Sequence, residues 1–294
     1  MVPLMDKPAD HEAKTPATGH EHARRAASFG AAASAYARHR PGYPVAAIDW
    51  ALRPVGDLGR RPAEILDLGA GTGKLTVQLA SRTLRGLPPH VVAVEPDDHM
   101  LAELQRLFPD VTAVAGRAEA IPLPDGSVDA VLAGQSAHWF DLDRAIPEIA
   151  RVLAPGGVFA GLWNADDDRV DWVAGLHQAS GRRNVVAFSS FAEADEEYGI
   201  AAWLRGPGES LFLPPQEAGF RHGQVRTADS LIATMRTHSM FLVMEPAVRE
   251  AVFARVREYL AATPLTSSGE FMLPIWTIAQ RTIRRGVTRR PEPE

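Results

Sequence analysis

A glycine-rich stretch in the first third of the chain carries the clearest signal for ligand binding. It begins with Asp67 and places glycines at positions 69, 71 and 73, after an apolar run and before residues with helical spacing. This pattern predicts a strand, a tight turn and a helix. Glycines let the main chain approach a ligand closely, and the amides at the start of the helix then face that ligand. The stretch therefore predicts a site for a nucleotide-like molecule.

The spacing of the glycines separates three classes of ligand. A dinucleotide fingerprint, G-x-G-x-x-G, requires glycine or alanine at position 74, where the chain has Lys74. A phosphate-binding P-loop requires glycine at 68 and serine or threonine at 75, and the chain has Leu68 and Leu75. The P-loop is therefore excluded, the dinucleotide is disfavoured but stays open, and an acidic residue followed by G-x-G-x-G remains.

Glu95 is the second residue that indicates a nucleoside. It ends the apolar run 91–94, which predicts a strand buried on both faces. An acidic side chain at the carboxyl end of this second strand can accept hydrogen bonds from both hydroxyls of a ribose. Both an adenosyl cofactor and a dinucleotide carry such a ribose, so Glu95 does not choose between them.

The exit of the predicted fourth strand, residues 134–141, faces the same region. Ligands of open parallel sheets lie beyond the carboxyl ends of the strands, near the point where strand order reverses, and the first and fourth strands flank that point. His138 has three open roles there: general base, hydrogen-bond donor to a substrate, or structural partner of a carbonyl. Trp139 and Phe140 are predicted to form the wall of a substrate pocket.

The elements that must position these residues alternate along the chain up to about residue 164, which predicts a doubly wound α/β core. Predicted strands cover 64–68, 91–95, 111–115, 128–133, 158–163, 220–227 and 271–283. Predicted helices start at residue 23 and cover 45–52, 75–85, 100–107, 143–153, 229–240 and 246–262, with Pro147 inside one of them and a turn at 154–157. Residues 166–208 predict helices or a flap.

Several of these motifs resemble one family. The stretch 67–73 resembles motif I of the class I S-adenosylmethionine-dependent methyltransferases. Phe29, Tyr36, Arg40-Pro41 and Tyr43-Pro44 resemble the segment before the core in small-molecule enzymes of the methyltransferase-11 type, and residues 116–125 and 138–140 resemble later motifs of that type. The motif order resembles trans-aconitate methyltransferases over roughly residues 28–164, and more loosely to 285.

The resemblance implies a Rossmann-like seven-stranded sheet whose last strand is antiparallel, with helical cap insertions over the pocket. It also implies that S-adenosylmethionine is the cofactor. Arg40 would pair with the methionine carboxylate beside Tyr36, and Glu119 would accept from the adenine amine; an exposed arginine, a packed tyrosine and a plain surface loop are the alternatives. The predicted cofactor-binding residues are Tyr36, Arg40, Asp67, Gly69, Ala70, Gly71, Thr72, Gly73, Glu95, Pro96, Arg117, Ala118, Glu119, Gln135 and Ser136.

The function that the resemblance implies is methyl transfer to an oxygen, nitrogen or carbon atom of a small organic molecule, with secondary metabolism as one setting. A phenol or an acidic carbon would use His138 as a base, whereas a carboxylate or an unprotonated amine would need none. His177, His222 and His238 lie in the second half, and His238 is favoured because it falls on a predicted cap helix with Arg236 and Ser239. Two alternatives remain: a non-catalytic partner subunit that binds S-adenosylmethionine, and an NAD(P)-dependent oxidoreductase.

Composition limits the partners. The net charge of −5 and the pI near 6.1 argue against nucleic acid and anionic membranes as partners, and no apolar stretch approaches the length of a membrane span. The absence of cysteine rules out disulfides, thiolate metal sites and a cysteine nucleophile. We therefore expect a cytoplasmic protein with a small-molecule substrate and no metal; the sequence leaves the oligomeric state open.

The 294 residues favour one sizeable core with an appended substructure. We expect a disordered leader over residues 1–22 and an N-terminal helical segment over the cofactor mouth at 23–62. The S-adenosylmethionine-binding core would cover 63–164. The cap helices and the last two strands would occupy 165–294.

Overall fold

A mixed sheet of seven strands organises the computed structural model, which describes residues 30–57, 62–84, 86–181, 204 and 207–286. The strands are β1 (Glu64–Leu68), β2 (His90–Glu95), β3 (Thr112–Ala115), β4 (Val128–Gly134), β5 (Leu153–Asp166), β6 (Gln216–Thr227) and β7 (Glu270–Ile283). Their order is β3-β2-β1-β4-β5-β7-β6. The first five strands are parallel, and β7 is antiparallel to both β5 and β6. This confirms the predicted Rossmann-like sheet with an antiparallel last strand.

The apolar runs form central strands because both faces of the sheet are covered. Successive side chains of a strand point to opposite faces. Accordingly, Ile65 and Leu132 belong to the apolar cluster on one face, whereas Leu66 and Val131 belong to the cluster on the other. Strands that are buried on both faces read as continuous apolar runs, and this is why β1, β2 and β4 could be recognised in the sequence.

Helices cover the sheet and build the cap. They are α1 (Ala33–His39), α2 (Val45–Leu52), α3 (Lys74–Ala80), α4 (Asp98–Leu107), α5 (Leu142–Val152), α6 (Asp171–Ala179), α7 (Pro207–Leu211), α8 (Ala228–Met235), α9 (Ser239–Leu242) and α10 (Pro246–Ala262). A third apolar cluster joins α6, α8, α9 and α10 to the first half of β7. Among the described residues, every helix is too short or too polar to span a bilayer.

Several predicted boundaries are wrong, three of them as follows. The helix predicted to reach residue 85 ends at Ala80, since Leu84 and Leu87 pair with each other instead. The helix predicted over 229–240 is interrupted between α8 and α9, where the Thr237 hydroxyl donates to the Thr234 carbonyl and His238 is extended. The turn predicted at 154–157 is part of β5, which begins at Leu153, directly after α5 ends at Val152.

Two predictions fall outside the described residues. These are the disordered leader at 1–22, together with the start of the N-terminal helix, and most of the flap predicted over 166–208, including Trp203. The described part of that flap contains α6 and Leu204.

Candidate functional site

A cavity of about 350 Å³ opens at the carboxyl edge of the parallel strands. Residues that follow β1, β2, β3 and β4 line it, together with residues of α1 and with the ends of β5 and β6 that reach this edge. The α8–α9 segment and the first half of β7 complete the wall. The cavity therefore lies where an open α/β sheet binds its ligands.

The three glycines after β1 serve different purposes. Gly69 has a φ of +69°, and a Cβ there would lie 2.6 Å from the Ser136 Cβ. Gly71 has a φ of +56°, but a Cβ there would meet open space. A Cβ at Gly73 would lie 2.9 Å from the ring of Phe108. Gly69 is thus needed for packing within the wall, and Gly71 leaves a cradle on the cavity.

Not all predicted residues of this loop reach the cavity. Gly69, Ala70 and Gly71 line it, as does Asp67 at the end of β1. Thr72 and Gly73 lie behind them: Thr72 is buried, and Gly73 packs on α4. These two residues shape the loop without lining the cavity.

Glu95 fixes the glycine loop to the end of β2. Its Oε2 accepts a hydrogen bond from the Gly71 amide at 2.8 Å, and its Oε1 accepts one from the Asp97 amide at 3.0 Å. Burial raises the pKa of Glu95, which is 7% exposed, and the hydrogen bonds from the two amides oppose that rise. A carboxylate oxygen can accept a second bond, so Glu95 can still receive hydroxyl donors from the cavity.

Asp67 is the most perturbed acid of the site. Burial raises its pKa to about 7, the hydrogen bond from Thr76 opposes the shift, and the charge of Glu95 adds to it. The Thr76 hydroxyl donates to Asp67 Oδ2 at 2.6 Å, whereas Oδ1 is buried and has no partner among the described residues. An unpaired buried acceptor on a cavity wall suits a ligand that brings an N–H donor or a positive charge.

The loop after β3 forms a further part of the wall. Arg117, Ala118 and Glu119 all line the cavity, as does Pro96 after β2. Ala118 is buried, and Glu119 Oε1 accepts from the Asp141 amide at 2.8 Å. Glu119 thereby joins this loop to the start of α5 and keeps one oxygen for other contacts.

The exit of β4 is held by Gln135 and Ser136, both of which line the cavity. Gln135 has a φ of +57°, an uncommon conformation for a residue with a side chain. Its side-chain Nε2 donates to the Asn164 backbone carbonyl at 2.9 Å. The Ser136 hydroxyl donates to the Leu68 carbonyl at 2.7 Å. These bonds tie the exit loop to β1 and β5 and explain how the loop maintains its backbone angle.

The residues predicted for the substrate also reach the cavity. Ala137–Trp139 form a short 3₁₀ helix, and His138, Trp139 and Phe140 all line the wall. The rings of His138 and Trp139 lie 4.9 Å apart, tilted by 46°. His138 is thus placed where a base or a hydrogen-bond donor could act.

Arg40 lines the cavity with Tyr36, but its guanidinium is engaged within the protein. Its Nε donates to the Thr237 hydroxyl at 3.0 Å and its Nη2 to the Thr237 carbonyl at 3.1 Å. The guanidinium lies 5.0 Å from the centre of the Tyr36 ring. Arg40 therefore ties α1 to the α8–α9 segment, a contact that the sequence did not indicate.

Only one of the three histidines of the second half lines the cavity within the described residues, and that one is His238. It lies just before α9 and not on a helix, and Arg236 beside it pairs with Glu250 at 2.7 Å. His177 contacts Asp166 at 3.1 Å, and His222 contacts Asn164 and Thr277. The predicted reason for favouring His238 was wrong, although its position at the cavity agrees.

Sequence reasoning missed several polar residues of the wall. These include Lys74, Asn164, Asp166, Gln224 and Arg226. Asn164 and Asp166 lie at the carboxyl end of β5, and Arg226 lies near that of β6, so the rule that marked the ends of β1 and β4 applies to them as well. For these three residues, the position at a strand end was the feature of the sequence that could have identified them.

Comparisons with known proteins agree with the fold. Residues 66–161 match the family model described as methyltransferase domain. An uncharacterized methyltransferase of Mycobacterium tuberculosis is 40% identical over 260 residues, which are 86% of this chain and 94% of the relative. An uncharacterized methyltransferase of Schizosaccharomyces pombe is 32% identical over 229 residues, which are 78% and 85% of the two chains. A solved structure from Anaeromyxobacter dehalogenans, designated a type II methyltransferase, matches with a TM-score of 0.56 and 25% identity over 83% of this chain and 97% of that one.

Proposed function

The chain belongs to the class I S-adenosylmethionine-dependent methyltransferases, and from that premise we propose that it methylates an oxygen, nitrogen or carbon atom of a small organic molecule, with S-adenosylmethionine as the methyl donor. The observation that carries the proposal is the pair of carboxylates, Asp67 and Glu95, which line the cavity together with the open cradle at Gly71.

This pair suits a cationic adenosyl ligand better than a dinucleotide. A dinucleotide places its diphosphate against the amides of the glycine loop. Here the Gly71 amide already donates to Glu95, and a diphosphate at this position would face that carboxylate. By contrast, Glu95 can accept from ribose hydroxyls, and the unpaired Asp67 Oδ1 can accept from the ammonium of the amino-acid end. The oxidoreductase alternative is therefore not favoured.

When bound, S-adenosylmethionine supplies an electrophilic methyl carbon on a sulfonium, so the protein has mainly to orient the acceptor and exclude water. Trp139, Phe140, Met235 and Ile275 contribute apolar wall to the cavity and suit a small organic acceptor. His138 would hold the acceptor or take its proton. His238 is the second candidate for either role, since it lines the same cavity.

Calorimetry with S-adenosylhomocysteine and with NADH, followed by transfer of a labelled methyl group to a panel of small acids, phenols and amines, tests the proposal. We expect binding of S-adenosylhomocysteine and its release in the presence of one acceptor class. Binding of NADH alone would contradict the cofactor. Binding of S-adenosylhomocysteine without turnover on any acceptor would favour the non-catalytic partner subunit.

The role of the histidines is tested with His138→Gln and His238→Gln, and with His90→Gln at the opposite edge of the sheet as the control. A base would lower kcat by about 100-fold or more with unchanged affinity for S-adenosylhomocysteine. A residue that only holds the acceptor would raise KM and leave kcat nearly unchanged. Unchanged kinetics in both variants would exclude both roles.

A further inference from the structure

A buried arginine of the cavity wall has a donor without a hydrogen-bond partner in the part of the chain that the structure describes. Arg226 is 5% exposed, and its Nη2 donates to the His39 carbonyl and to Gln224 Oε1, each at 2.5 Å. Its Nε is buried and has no hydrogen-bond partner among the described residues. Buried polar groups are nearly always paired, and an unpaired donor on a charged group is costly. Because Arg226 lines the cavity, an acceptor on a bound ligand is one way to satisfy this donor.

A second cation lines the same cavity. Lys74, the first residue of α3, is half-buried, and burial and the charge of Arg226 both lower its pKa. Like charges that are held together in a partly desolvated cavity attract an anion. Arg40 is a poorer candidate for that anion, because two of its donors already bind Thr237.

The charges on the wall favour an anion with a single charge. Asp166 is the carboxylate near enough to Arg226 to oppose the lowering of its pKa, and it also contacts His177 at 3.1 Å. The same wall also carries Arg40 and Arg117 and four further acids, which are Asp67, Glu95, Asp97 and Glu119. Among so many acids, a singly charged carboxylate is repelled less than a doubly charged phosphate.

We propose that Arg226 and Lys74 form a carboxylate-binding subsite in the cavity. The proposal rests on the proposed function, because two sources of a carboxylate then meet in this cavity: the amino-acid end of the cofactor and an acidic group of the acceptor. Arg226 offers Nε–H to one carboxylate oxygen, and the Lys74 ammonium neutralises the other.

The test uses the full chain with Arg226→Gln and Lys74→Gln, and with Arg221→Gln as the matched control on the same strand. Arg221 is exposed and lies 5.3 Å from the centre of the Trp276 ring, so it is a strand arginine outside the cavity wall. Thermal unfolding checks that each variant folds. Lys74→Gln keeps the test valid if Arg226→Gln does not fold, since Lys74 is only half-buried.

Two measurements distinguish the sources. The first compares the affinities of S-adenosylhomocysteine and 5′-methylthioadenosine, which lacks the amino-acid end. If the cofactor is the source, both variants lose about 10- to 100-fold in affinity for S-adenosylhomocysteine and keep that for 5′-methylthioadenosine. The second titrates acetate, butyrate and benzoate, with the matching amides as controls, into the protein with and without S-adenosylhomocysteine. If the acceptor is the source, the acids bind, the amides do not, and both variants lose that binding.

The proposal is overturned if both variants bind S-adenosylhomocysteine as the wild type does and no acid binds in preference to its amide. Equal losses in the Arg221→Gln control would overturn it as well. A wild type that binds neither nucleoside contradicts the proposed function instead, and the acids titrated without S-adenosylhomocysteine still decide on the subsite.

Discussion

The cavity wall has two sides that are built in different ways. The loop side consists of the glycine loop, Glu95 and residues 116–119, which are short contiguous motifs held by bonds between amides and carboxylates. The cap side consists of α1, the carboxyl ends of β5 and β6, the α8–α9 segment and the first half of β7. Side chains hold this side together by binding partners that are nearly 200 residues away in the sequence. Arg40 binds Thr237 at a separation of 197 residues, and Arg226 binds His39 at a separation of 187.

This difference in construction suits the two sides of the wall to different parts of the ligands. The backbone of the loop side can bind the part of a ligand that never changes, because its shape depends on local glycine and strand geometry. The side chains of the cap side can change without altering the sheet. We therefore expect substitutions on the loop side to affect the cofactor with every acceptor, and substitutions on the cap side to affect carboxylate or acceptor binding.

The largest effect is expected from Gly69→Ala on the loop side. The new Cβ would lie 2.6 Å from the Ser136 Cβ, on a backbone with a φ of +69°. Steric overlap and backbone strain together should lower the free energy of unfolding by about 2–4 kcal/mol, as measured by denaturant titration. Gly71→Ala is the control, because its Cβ meets open space and only strain of about 1–2 kcal/mol remains. Equal losses in the two variants would show that packing against the β4 exit does not shape this loop.

Glu95→Gln comes next, because it removes a carboxylate that holds two amides. A glutamine has one acceptor oxygen, so either the Gly71 or the Asp97 amide loses its partner. We expect the affinities for S-adenosylhomocysteine and 5′-methylthioadenosine to fall together by about 10- to 100-fold in calorimetry. The exposed Glu250→Gln serves as the control on the cap side. A loss confined to S-adenosylhomocysteine would place Glu95 at the amino-acid end and contradict its ribose role.

The pKa of Asp67 near 7 predicts a pH dependence that belongs to the loop side. An unfolded aspartate has a pKa of about 3.9, so between about pH 4 and pH 7 the folded state keeps a proton that the unfolded state has lost. The contribution of Asp67 to stability therefore falls as pH rises through this window and levels off above about 7. Relative to Asp67→Asn, the wild type should lose on the order of 1–2 kcal/mol in its free energy of unfolding between pH 5 and pH 7.

The same group should couple ligand binding to pH. The positive charge of S-adenosylmethionine favours the ionised form of Asp67, so affinity should rise from pH 6 to pH 8 and flatten in Asp67→Asn. Equal pH profiles of the wild type and the variant would show that Asp67 does not titrate in this range.

Thr237→Val should have the smallest effect and belongs to the cap side. It removes the hydroxyl that accepts from Arg40 Nε and donates to the Thr234 carbonyl, while the Thr237 carbonyl still binds Arg40. We expect a loss of about 0.5–1.5 kcal/mol in the free energy of unfolding and an unchanged affinity for 5′-methylthioadenosine. Thr112→Val on the exposed edge strand β3 is the control. If Thr237→Val weakened 5′-methylthioadenosine binding, the two sides of the wall would not be independent.

The loop side was largely predictable because each of its parts is a local pattern. Glycines at alternate positions after an apolar run indicate a turn, and an acid at the end of the next run indicates a strand end. Even here, packing decided which residues face the cavity: Thr72 and Gly73 fit the motif but lie behind the wall. The helix predicted to reach residue 85 ends early for a similar reason, because the backbones of Leu84 and Leu87 pair with each other.

The cap side was not predictable in the same way. The resemblance implied that Arg40 meets a carboxylate, which stays a prediction, but no local pattern indicated that two of its donors bind Thr237. Arg226 lies near the end of a predicted strand, which was its one signal, but no local pattern indicated that its guanidinium would be buried.

By itself, the sequence determined the alternation of strands and helices, the glycine loop and the acid that follows it, because backbone conformation and burial on both faces of a sheet leave periodic marks in a chain. Tertiary structure alone decided which charges are paired and which face the cavity. Hydrogen bonds between residues nearly 200 positions apart depend on how β6 and β7 join the sheet and bring α8 against α1, and a linear pattern carries no record of that distance.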